Sequence, residues 1–561
     1  MLRRRSLLAG AAALACGRPG APAQARLPET RETVLARIEE WREKLPVVGL
    51  SVALVDRGEL AWAVGVGEAD RDARRPATPE TIYAIGSLTK PYLALTALHA
   101  ARRGRLDLDA PLGRHLPELR ADGAAAITAR QILCHRSGLL SEWHRGGLAE
   151  RPPDWRELAR EIADEPLIAP PDTWNAYSNV AYTLLGHVLE RSHGEPLQAI
   201  LEDALAANLG RADLTFEPPA GLAETYVGGR RQPASRVRHA PAAGLYGSVL
   251  DLADLLRWLL EGTDLAAAML TEQPAGPLDF DDRWGLGLAL RHTELAYAGR
   301  VAWHSGRTFG HRAALFALPD RGLGVAVLAD FREAGGVEDL AVLALQTALL
   351  ERDGLDLPPG RGDAELPPPA PVDPAALRAH AGRYATDHDV LTLAIEDGAL
   401  VSRAGQLDRT TLIPAGADHF HSSENPDARV RLTDRAGLHV LSSAVRGVEA
   451  RVGVRCPEGP VPADWLARCG RYRADVLPGE VVLFQTALLE HVAGGLVLRL
   501  ESPQPFQRSS TVARYALAPA DARAAVVFGV GRGKGQRVRA EDGPGGPVLH
   551  WAGHRLVRAG T

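Results

Sequence analysis

Ser87 and Lys90 stand three residues apart at the head of an apolar stretch, Pro91 to Arg102, that keeps a helical period. On a helix this offset puts hydroxyl and amine on one face, where an uncharged amine can draw off the hydroxyl proton and leave an oxygen nucleophile. S-x-x-K alone is a weak signal. Here it is stronger, because Lys44, Lys90 and Lys534 are the only lysines among 64 basic residues, so that only about 0.2 chance matches are expected. Arginine supplies nearly every generic positive charge in this chain, yet it keeps its proton at ordinary pH, whereas a buried lysine gives it up. Lys90 is therefore read as a residue that the chemistry requires.

Tyr177-Ser178-Asn179 opens a second helical stretch. A phenol near the lysine would relay protons, and an amide would hold the lysine or a substrate carbonyl; the plain alternative is a helix start capped by Ser178. His304-Ser305-Gly306 ends an apolar strand-like run, where glycine lets a substrate lie against the strand edge, although a lone histidine at a strand end is usually structural.

Hydrophobic period names the elements that must position these groups. Thr30 to Lys44 reads as a helix, and Val47 to Val55 and Leu60 to Val66 read as a hairpin turning at Asp56-Arg57-Gly58. From Pro91 to Glu261 the chain is mostly helical, including Tyr92 to Arg102, Ala181 to Arg191 and Asp251 to Leu260. Strands are expected again at Gly285 to Arg291, Arg300 to His304, Ala313 to Ala317 and Gly324 to Ala329, with a closing helix from Gly336 to Leu350. Strands at both ends with helices between them predict an α/β domain: an antiparallel sheet flanked by helices, built from both termini, with an all-helical lobe inserted.

Residues 353–373 are dense in Pro, Gly and acid and read as a linker. Beyond them short β-type runs alternate with turns, and the tail repeats itself. Pro374, Ala375, Ala379, Gly382, Arg383 and Tyr384 recur 88 residues later as Pro462, Ala463, Ala467, Gly470, Arg471 and Tyr472. Two small antiparallel β-barrels of eight short strands are predicted, 374–460 and 461–561, each entered through a helical turn. Asp418-His419-Phe420-His421 reads as alternate positions of one barrel strand rather than a metal site. Gly529 to Gln536, with Arg532 and Lys534 among four glycines, reads as an exposed hairpin tip; its spacing is not that of a phosphate-binding loop.

The 561 residues, 46% of them hydrophobic, exceed one typical domain. Net charge is −5, and residues 1–25 hold four arginines and no acid, so the remainder carries −9, a balance that does not suit nucleic acid. Residues 1–25 read as an export signal: a basic start, an apolar run from Leu7 to Cys16 and small residues to Ala25. A periplasmic or secreted location is expected, by a Sec or twin-arginine route; lipid anchoring at Cys16 is the lesser reading, since Ala13 stands where a lipobox prefers Leu. No later segment is apolar enough to span a membrane. Cys456 and Cys469 leave two readings open, a short disulfide loop or two thiols.

In this order the three motifs resemble those of the serine hydrolases of the β-lactamase and penicillin-binding-protein superfamily, in the branch of class C β-lactamases, DD-carboxypeptidases, esterases and D-aminopeptidases. The likeness spans about residues 30–350, within a hydrolase domain of 26–352. It includes Ile85-Gly86, Gly104 to Asp109, Ile127-Thr128, Leu133-Cys134-His135-Arg136-Ser137-Gly138-Leu139, Ala243-Gly244-Leu245 and Trp284-Gly285-Leu286-Gly287.

The resemblance implies that Ser87 attacks, that Lys90 and Tyr177 share base and acid duty, and that Asn179 positions. It makes His304 the third-motif residue and assigns the oxyanion hole to the backbone N–H groups of Ser87 and Arg307, with Ser305, Gly306 and Arg307 along the substrate. His304 stands where class C β-lactamases usually have lysine, which speaks against β-lactams as the native substrate. Arg307 is larger than the usual residue there, and either enters the cleft or points to solvent. The two tail barrels resemble the layout of bacterial D-aminopeptidases, in which a loop of the last barrel reaches the active site, and that resemblance makes Gly529 to Gln536 the candidate for such a loop beside its reading as an exposed tip.

The expected activity is hydrolysis, through an acyl-enzyme and without cofactor or metal, of small amides or esters, foremost peptides containing D-amino acids. Esterase, DD-carboxypeptidase and β-lactamase activities are the alternatives. A non-catalytic ligand-binding or sensor protein is the rival of another class, and the intact Ser87, Lys90, Tyr177 and His304 argue against it. Substrate is the only partner expected, oligomeric state is left open, and the barrels are expected to shape access rather than supply catalytic groups.

Overall fold

A computed structural model describes residues 26–559 except 45–46, 212, 228–229, 234–235, 331–335, 359–368, 405–407, 426, 482–483 and 503–510. The export-signal reading of residues 1–25 lies outside the described residues. Helix α1 (Pro28–Lys44) leads into strands β1 (Gly49–Asp56) and β2 (Glu59–Asp70). Their two-residue turn holds Arg57 and Gly58 at φ of 51° and 77°, the left-handed pair whose twist matches a hairpin. After the short β3 (Arg75–Pro76) the chain leaves the sheet for a largely helical lobe containing α2 (Thr89–Arg102), α3 (Asn179–His193), α4 (Leu197–Leu209) and α5 (Val249–Glu261). It returns as β4 (Ala302–Arg307), β5 (Arg312–Leu318) and β6 (Leu323–Ala329) and closes with α6 (Gly336–Asp353).

The six strands form one antiparallel sheet in the order β4-β5-β6-β1-β2-β3, so both ends of the domain build it, as the sequence pattern predicts. Every residue of β1 and β6 is buried, because each sheet face has its own cover. Leu50, Val52, Leu54, Val325 and Val327 pack with Val34 and Ile38 of α1 and Leu345 of α6. The intervening Ala53, Val55, Ala326 and Leu328 face the lobe with Leu88, Tyr92, Leu255 and Leu256. A period of two read against two cores explains why these strands look uniformly apolar in sequence.

The strand expected at Gly285 to Arg291 is not a ladder. Within it Ala289 alone forms β-bridges, to Trp284 and to Trp303 of β4, while Gly287 turns at φ 81° with its N–H on the Leu133 carbonyl at 3.0 Å. A Cβ on Gly287 would lie 2.8 Å from Ala94 and 3.2 Å from the Lys90 carbonyl, so this backbone is packed against α2 and bends to do so.

The tail forms two closed eight-stranded barrels, with strands from Gly382–Ala385 to Val448–Arg455 and from Gly470–Ala474 to His554–Arg558. Each is entered through a short helix, Pro374–His380 or Ala463–Ala467. The repeated tyrosines do the same job: both are fully buried, and each hydroxyl donates to a carbonyl of the preceding turn, Tyr384 to His380 at 2.8 Å and Tyr472 to Arg468 at 2.6 Å. Asp418-His419-Phe420-His421 runs into a strand of the first barrel, and Cys456 and Cys469 are free thiols.

Both barrels dock on the lobe. The first meets residues 278–283: Arg451 donates to the Leu278 carbonyl at 2.6 Å, Asp281 N–H donates to the Glu449 carbonyl at 2.9 Å, and Glu449 N–H donates to the Asp281 carboxylate at 2.8 Å. The second meets residues 144–149, where Gly146 N–H reaches Glu480 at 2.6 Å and Val481 N–H reaches the Leu148 carbonyl at 2.8 Å.

Candidate active site

Ser87 sits in a single 3-10 turn, Gly86–Leu88, that runs straight into α2. Gly86 at φ 56° makes the sharp entry, and Thr89 locks it, donating to the Gly86 carbonyl at 2.7 Å and accepting from Leu245 N–H at 3.1 Å. Lys90, one turn on, is completely buried, and its Nζ lies 3.0 Å from Ser87 Oγ, 2.7 Å from Asn179 Oδ1 and 2.9 Å from the Ala242 carbonyl. Two of these partners can only accept, while the third carries a proton. An uncharged amine satisfies all three at once, with two N–H bonds to the oxygens and its lone pair on the Ser87 hydroxyl. Burial, the largest influence, drives the lysine pKa well below its ordinary value and so favours that form.

Ser178 caps α3, accepting from Ala181 N–H at 2.9 Å and donating to the Leu140 carbonyl at 2.7 Å. The plain reading of the second motif is thus correct, and it is also how the motif works, since the cap fixes Tyr177 and Asn179 on either side of it. The Tyr177 ring lies 4.6 Å from Lys90 Nζ. Burial raises this phenol, which therefore holds its proton. His135, at φ 59°, packs on Tyr177 with ring centres 4.3 Å apart and receives the Ser178 N–H at 3.2 Å; Trp284 closes the cluster against His135 and His304.

His304 is buried 6.0 Å from Tyr177 between ring centres. Its Nδ1 lies 2.7 Å from the Ser305 carbonyl, an acceptor, so Nδ1 carries the hydrogen and Nε2 has the lone pair, with no hydrogen-bond partner among the described residues. Burial first, then the Lys90 charge, lowers this imidazole to about 3. Strand alternation puts Ser305 on the face opposite His304, and the contribution of Ser305 is that carbonyl. Gly306 and Gly86 bring β4 against the Ser87 turn: a Cβ on Gly306 would lie 1.9 Å from the Ile85 carbonyl, and one on Gly86 would lie 2.6 Å from Arg307 N. The backbones at Ser87 and Arg307 are therefore neighbours, and the Arg307 side chain is exposed.

Glu142 belongs to no motif that announces it. Both of its carboxylate oxygens accept from Asn179 Nδ2, at 2.9 and 3.0 Å, and this fixes the amide with its oxygen toward Lys90. Burial raises the carboxyl, but Arg532, His144, His239 and the Asn179 bond outweigh it and bring it down to about 2. Arg532 comes from the second barrel. Its Nη2 lies 2.5 Å from Glu142 Oε1, and its guanidinium carbon lies 5.1 Å over the Tyr177 ring.

The stretch read as an exposed tip therefore enters the cleft. Gly533 N–H reaches Ser141 Oγ at 3.0 Å, Gln536 Nε2 reaches the Glu142 carbonyl at 2.8 Å, and Lys534 is fully buried, 4.8 Å from the Tyr515 ring. Turn composition alone predicts solvent, whereas docking of the barrel decides otherwise.

Among known proteins, the β-lactamase family model matches residues 35–349. Esterase EstB of Burkholderia gladioli is 32% identical over 362 residues, 54% of this chain and 91% of the esterase. The crystal structure of SurE with D-Leu is 27% identical with a TM-score of 0.52, covering 76% of this chain and all of that one, more than the family match alone spans. The octameric penicillin-binding protein homologue from Pyrococcus abyssi, 22% identical with a TM-score of 0.51 over 76% of this chain and 99% of its own, shares the fold.

Proposed function

This chain belongs to the β-lactamase family of serine hydrolases, and from that premise we propose that it acylates Ser87 with small amides or esters, foremost those of D-amino acids. The observation that carries the reading is the buried Lys90 amine, 3.0 Å from Ser87 Oγ and held by two acceptors.

Ser87 Oγ attacks the substrate carbonyl while its proton passes to Lys90 Nζ, and the backbone N–H groups of Ser87 and Arg307 receive the oxyanion. As the C–N or C–O bond breaks, the leaving group takes a proton through Tyr177, which Lys90 replenishes. Water then attacks the ester by the reverse relay, releasing the acid and restoring Ser87. His304, neutral, presents Nε2 as an acceptor.

The preference for D-amino acids is supported by the likeness to the structure holding D-Leu, which extends beyond the catalytic domain. Esterase action is the second reading, favoured by the 32% identity to EstB. Export, read from the basic and apolar grammar of residues 1–25, would place the reaction outside the cytoplasm; cell fractionation tests it.

Rates on D-Leu p-nitroanilide, short-chain p-nitrophenyl esters, D-Ala-D-Ala peptides and nitrocefin separate the substrate classes. Ser87→Ala should abolish turnover and fluorophosphonate labelling, and Lys90→Arg should lose about 1,000-fold or more although the charge is kept. Undiminished labelling of the Ser87→Ala protein would move the nucleophile elsewhere.

A further inference from the structure

We propose that Glu142 and Arg532 form a positioning pair, half of it lent by the second barrel, that orients Asn179 while leaving Lys90 uncharged. The inference rests on the reading of Lys90 as the base for Ser87.

An unbroken line of bonds runs from nucleophile to barrel: Ser87 Oγ to Lys90 Nζ, Lys90 to Asn179 Oδ1, Asn179 Nδ2 to Glu142, and Arg532 to Glu142. Glu142 is what points the amide oxygen at Lys90. A buried carboxylate on its own would also hold Lys90 as an ammonium, which has no lone pair for the Ser87 proton. Arg532 cancels that charge and leaves the orientation in place. The bonds from Gly533 to Ser141 and from Gln536 to the Glu142 carbonyl pin the loop on both sides of the pair.

The other groups facing Lys90 do not supply fixed charge. They are Tyr177 before α3, Tyr182 on α3 at 5.4 Å, His135, His239 ahead of Ala242, and His304 on β4. Burial, first among the influences on each, raises the phenols and lowers the imidazoles, so all five are neutral near pH 7. Glu142 and Arg532 remain, pulling the lysine in opposite directions.

The test is the pH dependence of kcat/KM and of Ser87 labelling by a fluorophosphonate in the full-length protein. The rising limb should move to higher pH by about one unit in Arg532→Gln and to lower pH in Glu142→Gln. It should stay in place in Arg532→Lys and return within about 0.3 units in the double variant. Singles displaced in the same direction, or rates merely scaled at every pH, would overturn the pair while the base assignment stands. A wild-type profile with no rising limb would instead overturn the base reading, and the pair with it. Should Glu142→Gln fail to fold, Arg532→Gln against Arg532→Lys decides alone, because the Arg532 side chain is 44% exposed and its loss leaves no cavity in a core.

Discussion

The two barrels share six residues at their entries and close with the same number of strands, yet among the described residues it is the second that bonds to Glu142 in the candidate site. In the first, the fifth and sixth strands, His419–Ser422 and Arg429–Arg435, are joined by residues 423–428. There the N–H groups of Glu424 and Asn425 donate to Ser422 Oγ and that of Ser423 donates to the Thr411 carbonyl. In the second, the same connection is longer, residues 528–536 between Ala524–Val527 and Arg537–Gly543, and Gly529, Gly531, Gly533 and Gly535 all sit at positive φ, 122°, 96°, 74° and 81°. Side chains rarely adopt such angles, and at Gly535 a Cβ would lie 2.5 Å from Ile168, so this path is open to glycine and to little else. A duplicated scaffold thus carries different work through one connection, as loops on rigid frames commonly do.

Exchanging that connection is the sharpest way to break the comparison. Putting residues 423–428 in place of 529–535 should leave the second barrel folded and move the rising limb of Ser87 labelling about one unit to higher pH, so that labelling falls on the acid side of the profile. The loss should be recovered at higher pH. Labelling at the wild-type rate in a folded exchange protein would put both barrels on the same footing. A smaller effect should be shared by the two. Tyr384→Phe and Tyr472→Phe each remove one buried hydrogen bond of the same kind, and each should cost its barrel about 1 kcal/mol in chemical denaturation. Neither should change kcat/KM, and a loss of activity from Tyr384→Phe would give the first barrel a part in the chemistry.

The residues of the candidate site were legible because their pattern is local in sequence: S-x-x-K is a spacing on one helix, Tyr177-Ser178-Asn179 flanks a cap, and His304 lies in a strand. The 88-residue repeat disclosed the barrels for a similar reason, since a repeat shows in sequence whatever its fold. Glu142 and Arg532 carried no such pattern. They meet only after the lobe and the second barrel dock, and nothing in the run Ser141-Glu142-Trp143 announces a partner 390 residues away. Gly285 to Arg291 misled in another way: its alternation is genuine, but α2 demands a bend there, and tertiary packing outranks local period.

The 390 residues between Glu142 and Arg532 also measure time. A ribosome adding about 5 to 20 residues per second needs about 20 to 80 seconds to travel from one to the other. During that interval the sheet domain can be complete while its carboxylate waits for a counter-charge, and on the pairing proposed above the newborn chain would hold more of its lysine protonated. Docking of the last barrel would then act as an arming step, and cell-free synthesis should show it as labelling of Ser87 that quickens after the sheet domain has become protease-resistant.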